Sequence, residues 1–176
     1  MTINPLPHID PIGTILLPLA GMIFQLPLLG WAKPVPVNLN NVRGDKRTAN
    51  MLIAAAGPIS NLILCAFFIV VHAVCIKYQL LQPDTFFYPL LKLFGILVMV
   101  NAILAFFNLI PMPPLDGGAI LSGFLPEEMA FKFEQFLSQF GFMILMILVI
   151  FGGLSWISAL SSAYIDMISH YLSFLL

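Results

Sequence analysis

Residues 106–118 read FFNLIPMPPLDGG. Asp116 stands there after three prolines and before two glycines, at the end of an uncharged run that covers 93–115. A carboxylate within a spanning region is costly, and by default it faces a cavity or a partner. Pro111, Pro113 and Pro114 predict the end of the preceding helix, because proline lacks an N–H and pushes the residue before it out of the helical region. Gly117 and Gly118 are read as positions allowing positive φ and a close turn. Irregular backbone at membrane depth is tolerated only inside protein or beside water. Three chemistries fit a carboxylate in such a bend. It could bind a metal, since carboxylate and imidazole both suit zinc. It could relay ions or protons at a broken helix. It could cap the free N–H groups of a helix starting at Gly117 or Gly118. Asn108 lies eight residues earlier, with a donor and an acceptor to offer. It reads either as a helix-end amide or as a donor aimed toward Asp116.

The elements that must position these residues follow from hydropathy. The chain has 176 residues, 60% hydrophobic and 9% charged, with a mean hydropathy of +1.01. No charge occurs in 11–32, 48–76, 93–115 or 135–165. Each run exceeds the roughly 20 residues that a helix needs to cross a bilayer. The expected fold is an all-α integral membrane protein: one polytopic domain over 1–176, with about four spans and a C-terminal amphipathic helix. Segment 11–32 contains Pro18 and Pro27 and either spans with a kink or dips and returns. Within 50–76 the stretch AAAGPISN offers small residues for close helix approach, and Asn61 either makes an interhelical hydrogen bond or contacts the site. In 154–176, Ser155, Ser158, Ser162, Asp166, Ser169 and Ser173 fall on one helical face. That face lies at the interface or turns into the bundle.

Lys33, Arg43, Lys46 and Arg47 place loop 33–47 on the cytoplasmic side by the positive-inside rule. The expected location is the bacterial cytoplasmic (inner) membrane, with the lipid bilayer as a partner. The net charge is −1, and no nucleic-acid partner is expected. Nothing in the sequence sets an oligomeric state. Cys65 and Cys75 lie roughly 15 Å apart along one expected helix, too far for a disulfide, and read as small packing residues.

FNLIPMPPLDGG closely resembles the second zinc-ligand motif of the site-2 protease family of intramembrane metalloproteases. NPLPHIDPIGT (4–14), GWAKPVPVN (30–38) and AAAGPISNLIL (54–64) resemble stretches of its compact bacterial branch, which lacks a PDZ domain. The resemblance covers roughly 2–125. It implies a zinc-dependent endopeptidase cleaving membrane-embedded, single-span substrates near the cytoplasmic face. Zn2+ would be held by two histidines of an H-E-x-x-H helix and by an aspartate, which maps onto Asp116. Asn108 would be the transition-state donor, and residues 54–64 would pack beside the site.

The sequence contains no H-E-x-x-H. Its histidines are His8, His72 and His170, and Glu127, Glu128 and Glu134 stand between none of them. In the resembled family that helix precedes NPLxHIDPxGT, which here begins almost at Met1. The expectation is a chain that begins late, with a pseudoprotease as the alternative. His8 beside Asp10 reads as a structural hydrogen bond, His72 as a packing residue and His170 as interfacial. Since zinc sites need about three or four protein ligands, this chain alone is expected to bind zinc poorly and hydrolyse nothing. The rivals are a non-catalytic membrane scaffold and a small transporter using Asp116.

Overall fold

The structure is a computed structural model, and it describes residues 44–80, 83, 86, 88–152 and 154–175. Segment 11–32, His8 and most of loop 33–47 lie outside the described residues. Those described belong to one unit, Val42–Leu176, and are helical in the order α1 (Lys46–Lys77), α2 (Tyr88–Asn108), α3 (Asp116–Phe124), α4 (Glu127–Ile150) and α5 (Ser155–Leu175). The expected all-α fold is the one observed. Helices α1, α2 and α4 are long and apolar enough to cross a membrane. Large apolar side chains such as Ile63, Phe67, Ile96 and Phe142 are exposed along them, as a lipid solvent permits. The chain is a helical membrane protein.

Asp45 starts α1. Its carboxylate accepts from the Thr48 backbone N–H at 2.9 Å, the Thr48 hydroxyl at 2.6 Å and the Arg47 N–H at 3.3 Å, satisfying donors that a helix start leaves free. From there 32 residues run without interruption, about 48 Å of helix. Pro58 lies within it and is fully buried. Lys46 and Arg47 therefore belong to a helix, where the sequence places them in a loop.

Helix α2 ends at Asn108, and turns closed by Met112 N–H to Ile110 C=O (2.7 Å) and Leu115 N–H to Met112 C=O (2.8 Å) lead into α3. Helix α4 opens with Glu127 and Glu128 in its first turn, where negative charge suits the helix dipole. It stops before Gly152, whose φ of +70° is the left-handed position that ends many helices.

Two clusters hold the bundle together. Cys65 and Ile69 of α1 pack on Val98 and Ala102 of α2, with Tyr164, Ile165 and Ile168 of α5 closing over them. Both cysteines are free thiols; Cys65 is fully buried and Cys75 half-buried. The second cluster is built around the bend. Ile110, Leu145 and Ile157 form its centre, and Phe106, Met112, Leu115 and Leu154 surround it. Helix α5 thus turns its apolar side inward. Ser155, Ser158, Ser162, Asp166, Ser169 and Ser173 are all exposed, so the polar stripe stays out of the core, with Ser169 and Ser173 bordering a crevice between α5 and α1. The serine that does enter the interior is Ser161, outside the stripe and 2% exposed, with its hydroxyl unpartnered.

Candidate metal-ligand site at a helix break

Asp116 is the first residue of α3. Leu115 holds the cap position, and the Asp116 carboxylate makes no hydrogen bond among the described residues, which removes the capping reading. The half-buried side chain lies over Gly57 of α1: a Cβ built on Gly57 would stand 2.9 Å from Asp116 Oδ2. The absence of a side chain at Gly57 is thus what lets the carboxylate occupy this face. Asn61 is one helical turn beyond Gly57, half-buried and without a hydrogen bond among the described residues. Within stretch 54–64, Gly57 is thus the residue that lies against Asp116.

The two glycines after Asp116 work differently from the sequence reading. Among the described residues, Gly44 and Gly152 are the glycines with positive φ; Gly117 and Gly118 are helical and buried. Gly117 is needed for proximity. A Cβ there would collide with the backbone carbonyl oxygens of Leu109 and Ile110. The start of α3 lies directly on the end of the chain leaving α2, with Gly118 in ordinary contact range of the Met112–Pro113 backbone. From the other side, Gly141 of α4 faces the Pro113 ring, 2.9 Å from its Cδ were a Cβ present. The Pro113–Pro114 peptide is cis.

The far end of α3 is held as tightly. Arg47 Nε donates to the Ser122 carbonyl at 2.9 Å, and Nη2 donates to the carbonyls of Ser122 and Leu125. These carbonyls lie at the C-terminal end of α3, where that of Ser122 also accepts from the Leu125 N–H at 3.3 Å, and a cation there complements the dipole. The Ser122 hydroxyl donates to the Glu134 carboxylate of α4. Near the same end, Gly123 lies against Met51, whose Cβ would be 2.6 Å from an added Cβ. Helix α3 therefore lies antiparallel along α1, from Gly57 beside Asp116 to Arg47 beside Ser122. Arg47, Ser122 and Glu134 are positioning residues that the sequence reading did not single out, whereas Gly57 belongs to the AAAGPISN stretch read there for close helix approach. Arg47 and Ser122 are 75 positions apart, and no local pattern signals their contact.

Asn108 is the half-buried last residue of α2. No hydrogen bond joins it to Asp116 among the described residues. His72 is elsewhere. It lies fifteen residues beyond Gly57 on α1, about 22 Å along the axis, with Nε2 3.9 Å from a Cβ built on Gly95. His170 is exposed near the end of α5. No group of three or more His, Cys, Asp or Glu side chains is placed to hold a metal ion among the described residues. Asp116 fits one ligand of a metal, with a carboxylate that is neither capping nor ion-paired among those residues. One carboxylate falls short of the three or more protein ligands that zinc requires.

A membrane-embedded helical protein with a carboxylate at a helix break is the class these features define. Residues 21–148 match Peptidase family M50, and the chain belongs to that family, the site-2 protease type. It is 38% identical over 154 residues to "Putative zinc metalloprotease YwhC" of Bacillus subtilis (strain 168), an alignment covering 85% of this chain and 64% of that protein. The chain thus spans less than two thirds of that relative's length. No solved structure matches the chain.

Proposed function

We propose that this chain forms the aspartate-bearing part of a zinc metalloendopeptidase that cleaves single-span, membrane-embedded protein substrates. The observation carrying the proposal is the placement of Asp116: a carboxylate at a rigid helix break, uncapped, in the space left by Gly57, in a chain of family M50. Asp116 is one zinc ligand. The two imidazoles and the general base come from an H-E-x-x-H segment, which the 176 residues do not contain. Zinc, when bound, would lower the pKa of its water toward about 7. The chain's own residues supply geometry. Gly57 and Gly117 fix the carboxylate's position, and Asn108 donates to the substrate carbonyl. The membrane is the bacterial cytoplasmic membrane, with loop 33–47 on its cytoplasmic face.

The test supplies the missing segment, by in-frame extension or co-expression, and measures zinc content and cleavage of a single-span reporter. Asp116→Asn is expected to abolish both. Asn108→Ala is expected to slow cleavage while sparing zinc. Unchanged zinc content and cleavage in Asp116→Asn would overturn the assignment. A supplemented chain that captures the reporter without ever cutting it would favour a scaffold. The chain by itself is expected to retain little zinc; a stoichiometric signal abolished by Asp116→Ala would contradict that.

A further inference from the structure

The end of the bundle remote from Asp116 carries polar chemistry that the peptidase reading leaves unused. Helix α1 finishes there with Lys77 and Tyr78, and α2 begins with Tyr88 and Lys92. Each lysine ammonium lies over its neighbouring tyrosine ring, 5.7 and 5.4 Å from the centroid. Tyrosine and lysine at the ends of apolar helices mark the level of the lipid headgroups.

A crevice of about 430 Å3 opens at this level between α1 and α5. Its walls are divided by chemistry. Ile69, Ala73, Ile76 and Leu172 make an apolar side, while His72, Lys77 and Ser169 present polar atoms. A second cavity of about 320 Å3 shares Ile69, His72 and Ser169 and extends toward Gly95 and Met99 of α2. Along α1 the crevice runs from Lys77 to Ile69, roughly 12 Å at 1.5 Å per residue.

We propose that this crevice binds one glycerophospholipid, with its phosphate on Lys77, its ester carbonyls on His72 and Ser169, and its acyl chains along the apolar walls. The order of groups argues for it. Lys77 stands at the outer end and has no carboxylate partner among the described residues. His72 lies five residues deeper, about 7.5 Å, where the glycerol esters of a lipid with its phosphate at Lys77 would come. Neither His72 nor the Ser169 hydroxyl has a hydrogen bond among the described residues. A neutral imidazole carries one N–H in either tautomer and a serine one O–H, so both can donate to ester carbonyls. Deeper still the walls turn apolar, and the crevice opens sideways onto a surface already rich in exposed Met99, Ile96 and Met167. A free phosphate ion would leave those walls unused. A lipid uses the charge, the donors and the apolar side together.

Native mass spectrometry of the purified chain in mild detergent tests the proposal. The probes are a phosphatidylglycerol, the diacylglycerol with the same acyl chains, and inorganic phosphate. One phosphatidylglycerol per chain is expected to survive detergent removal, with diacylglycerol held more weakly and inorganic phosphate not held. Lys77→Gln is expected to weaken phosphatidylglycerol binding roughly fivefold, the factor for one lysine at a membrane surface. Lys77→Arg should restore it, and Ser169→Val should weaken it further. Lys132→Gln on α4, away from the crevice, should leave it unchanged. Undiminished binding in a folded Lys77→Gln chain overturns the proposal. So do equal loss in Lys132→Gln, equal retention of diacylglycerol, and capture of inorganic phosphate without lipid.

Discussion

Two glycine-to-alanine substitutions beside Asp116 separate positioning from stability. At Gly57 the added Cβ would meet Asp116 Oδ2 at 2.9 Å. Ordinary contact begins near 3.4 Å, so the carboxylate must retreat by about 0.5 Å, which a side-chain tip does cheaply. Alanine also gains roughly 0.8–1 kcal/mol over glycine within a helix. Gly57→Ala is therefore expected to fold with a stability within about 1 kcal/mol of the parent. Its carboxylate, however, moves by the roughly 0.5 Å that a functional site tolerates at most. At Gly117 the obstacle is backbone, the carbonyls of Leu109 and Ile110, and neither can swing aside. The start of α3 must lift from the end of α2, and overpacking of this kind costs about 1–3 kcal/mol. Denaturation in detergent compares the two chains directly. Zinc content of the protein supplemented with H-E-x-x-H then reads the ligand's position, and it should fall for Gly57→Ala. Equal stability of the two variants would refute the close-approach reading of Gly117. Full zinc content in Gly57→Ala would refute the role given to the space above it.

The guanidinium of Arg47 gives a second test. Arg47→Ala removes the side-chain donor to the Ser122 and Leu125 carbonyls and leaves that of Ser122 only the Leu125 N–H; the partly buried setting lets water return, so the expected cost is about 2 kcal/mol. Hydrogen exchange should rise at the amides of α3, and Arg47→Lys should recover part of the loss. Asp45 makes α1 pH-sensitive. Hydrogen bonds from the Thr48 hydroxyl, the Thr48 N–H and the Arg47 N–H hold its carboxyl below the usual value. Its contribution is therefore complete above the ordinary carboxylate pKa of about 3.9 and is lost as pH falls through the lower folded value. Exchange of the Arg47 and Thr48 amides should quicken there, and Asp45→Asn should flatten that dependence. Tyr164→Phe removes the hydroxyl that donates to the Leu62 carbonyl at 3.0 Å, and should lower stability by about 1 kcal/mol in thermal unfolding.

What the sequence makes legible here is whatever depends on short range. The uncharged run 48–76 lies within α1, and PMPPLDGG marks a helix end because proline acts on its own neighbours. The resemblance singles out Asp116 from adjacent letters. The purpose of Gly117 is not legible in the same way: glycine permits both positive φ and close packing, and only the carbonyls of Leu109 and Ile110 decide between them. Arg47 reads as a loop charge until the end of α3 is laid across it. The serine stripe of α5 has an evident period. Which way it faces depends on Ile157, Ile165 and Ile168 finding partners on other helices.

Helix α3 is fastened at both ends, and this fixes its length as firmly as its composition. Nine residues join a carboxylate seated over Gly57 to carbonyls gripped by Arg47. Removing one residue between them, even a featureless one such as Ala119, would shorten the strut by 1.5 Å and turn one end against the other by about 100°. The clamp and the carboxylate could not both remain in place. Side chains along the middle of α3 are open to exchange, but its register is not, and a single-residue insertion or deletion there should do more harm than several substitutions together.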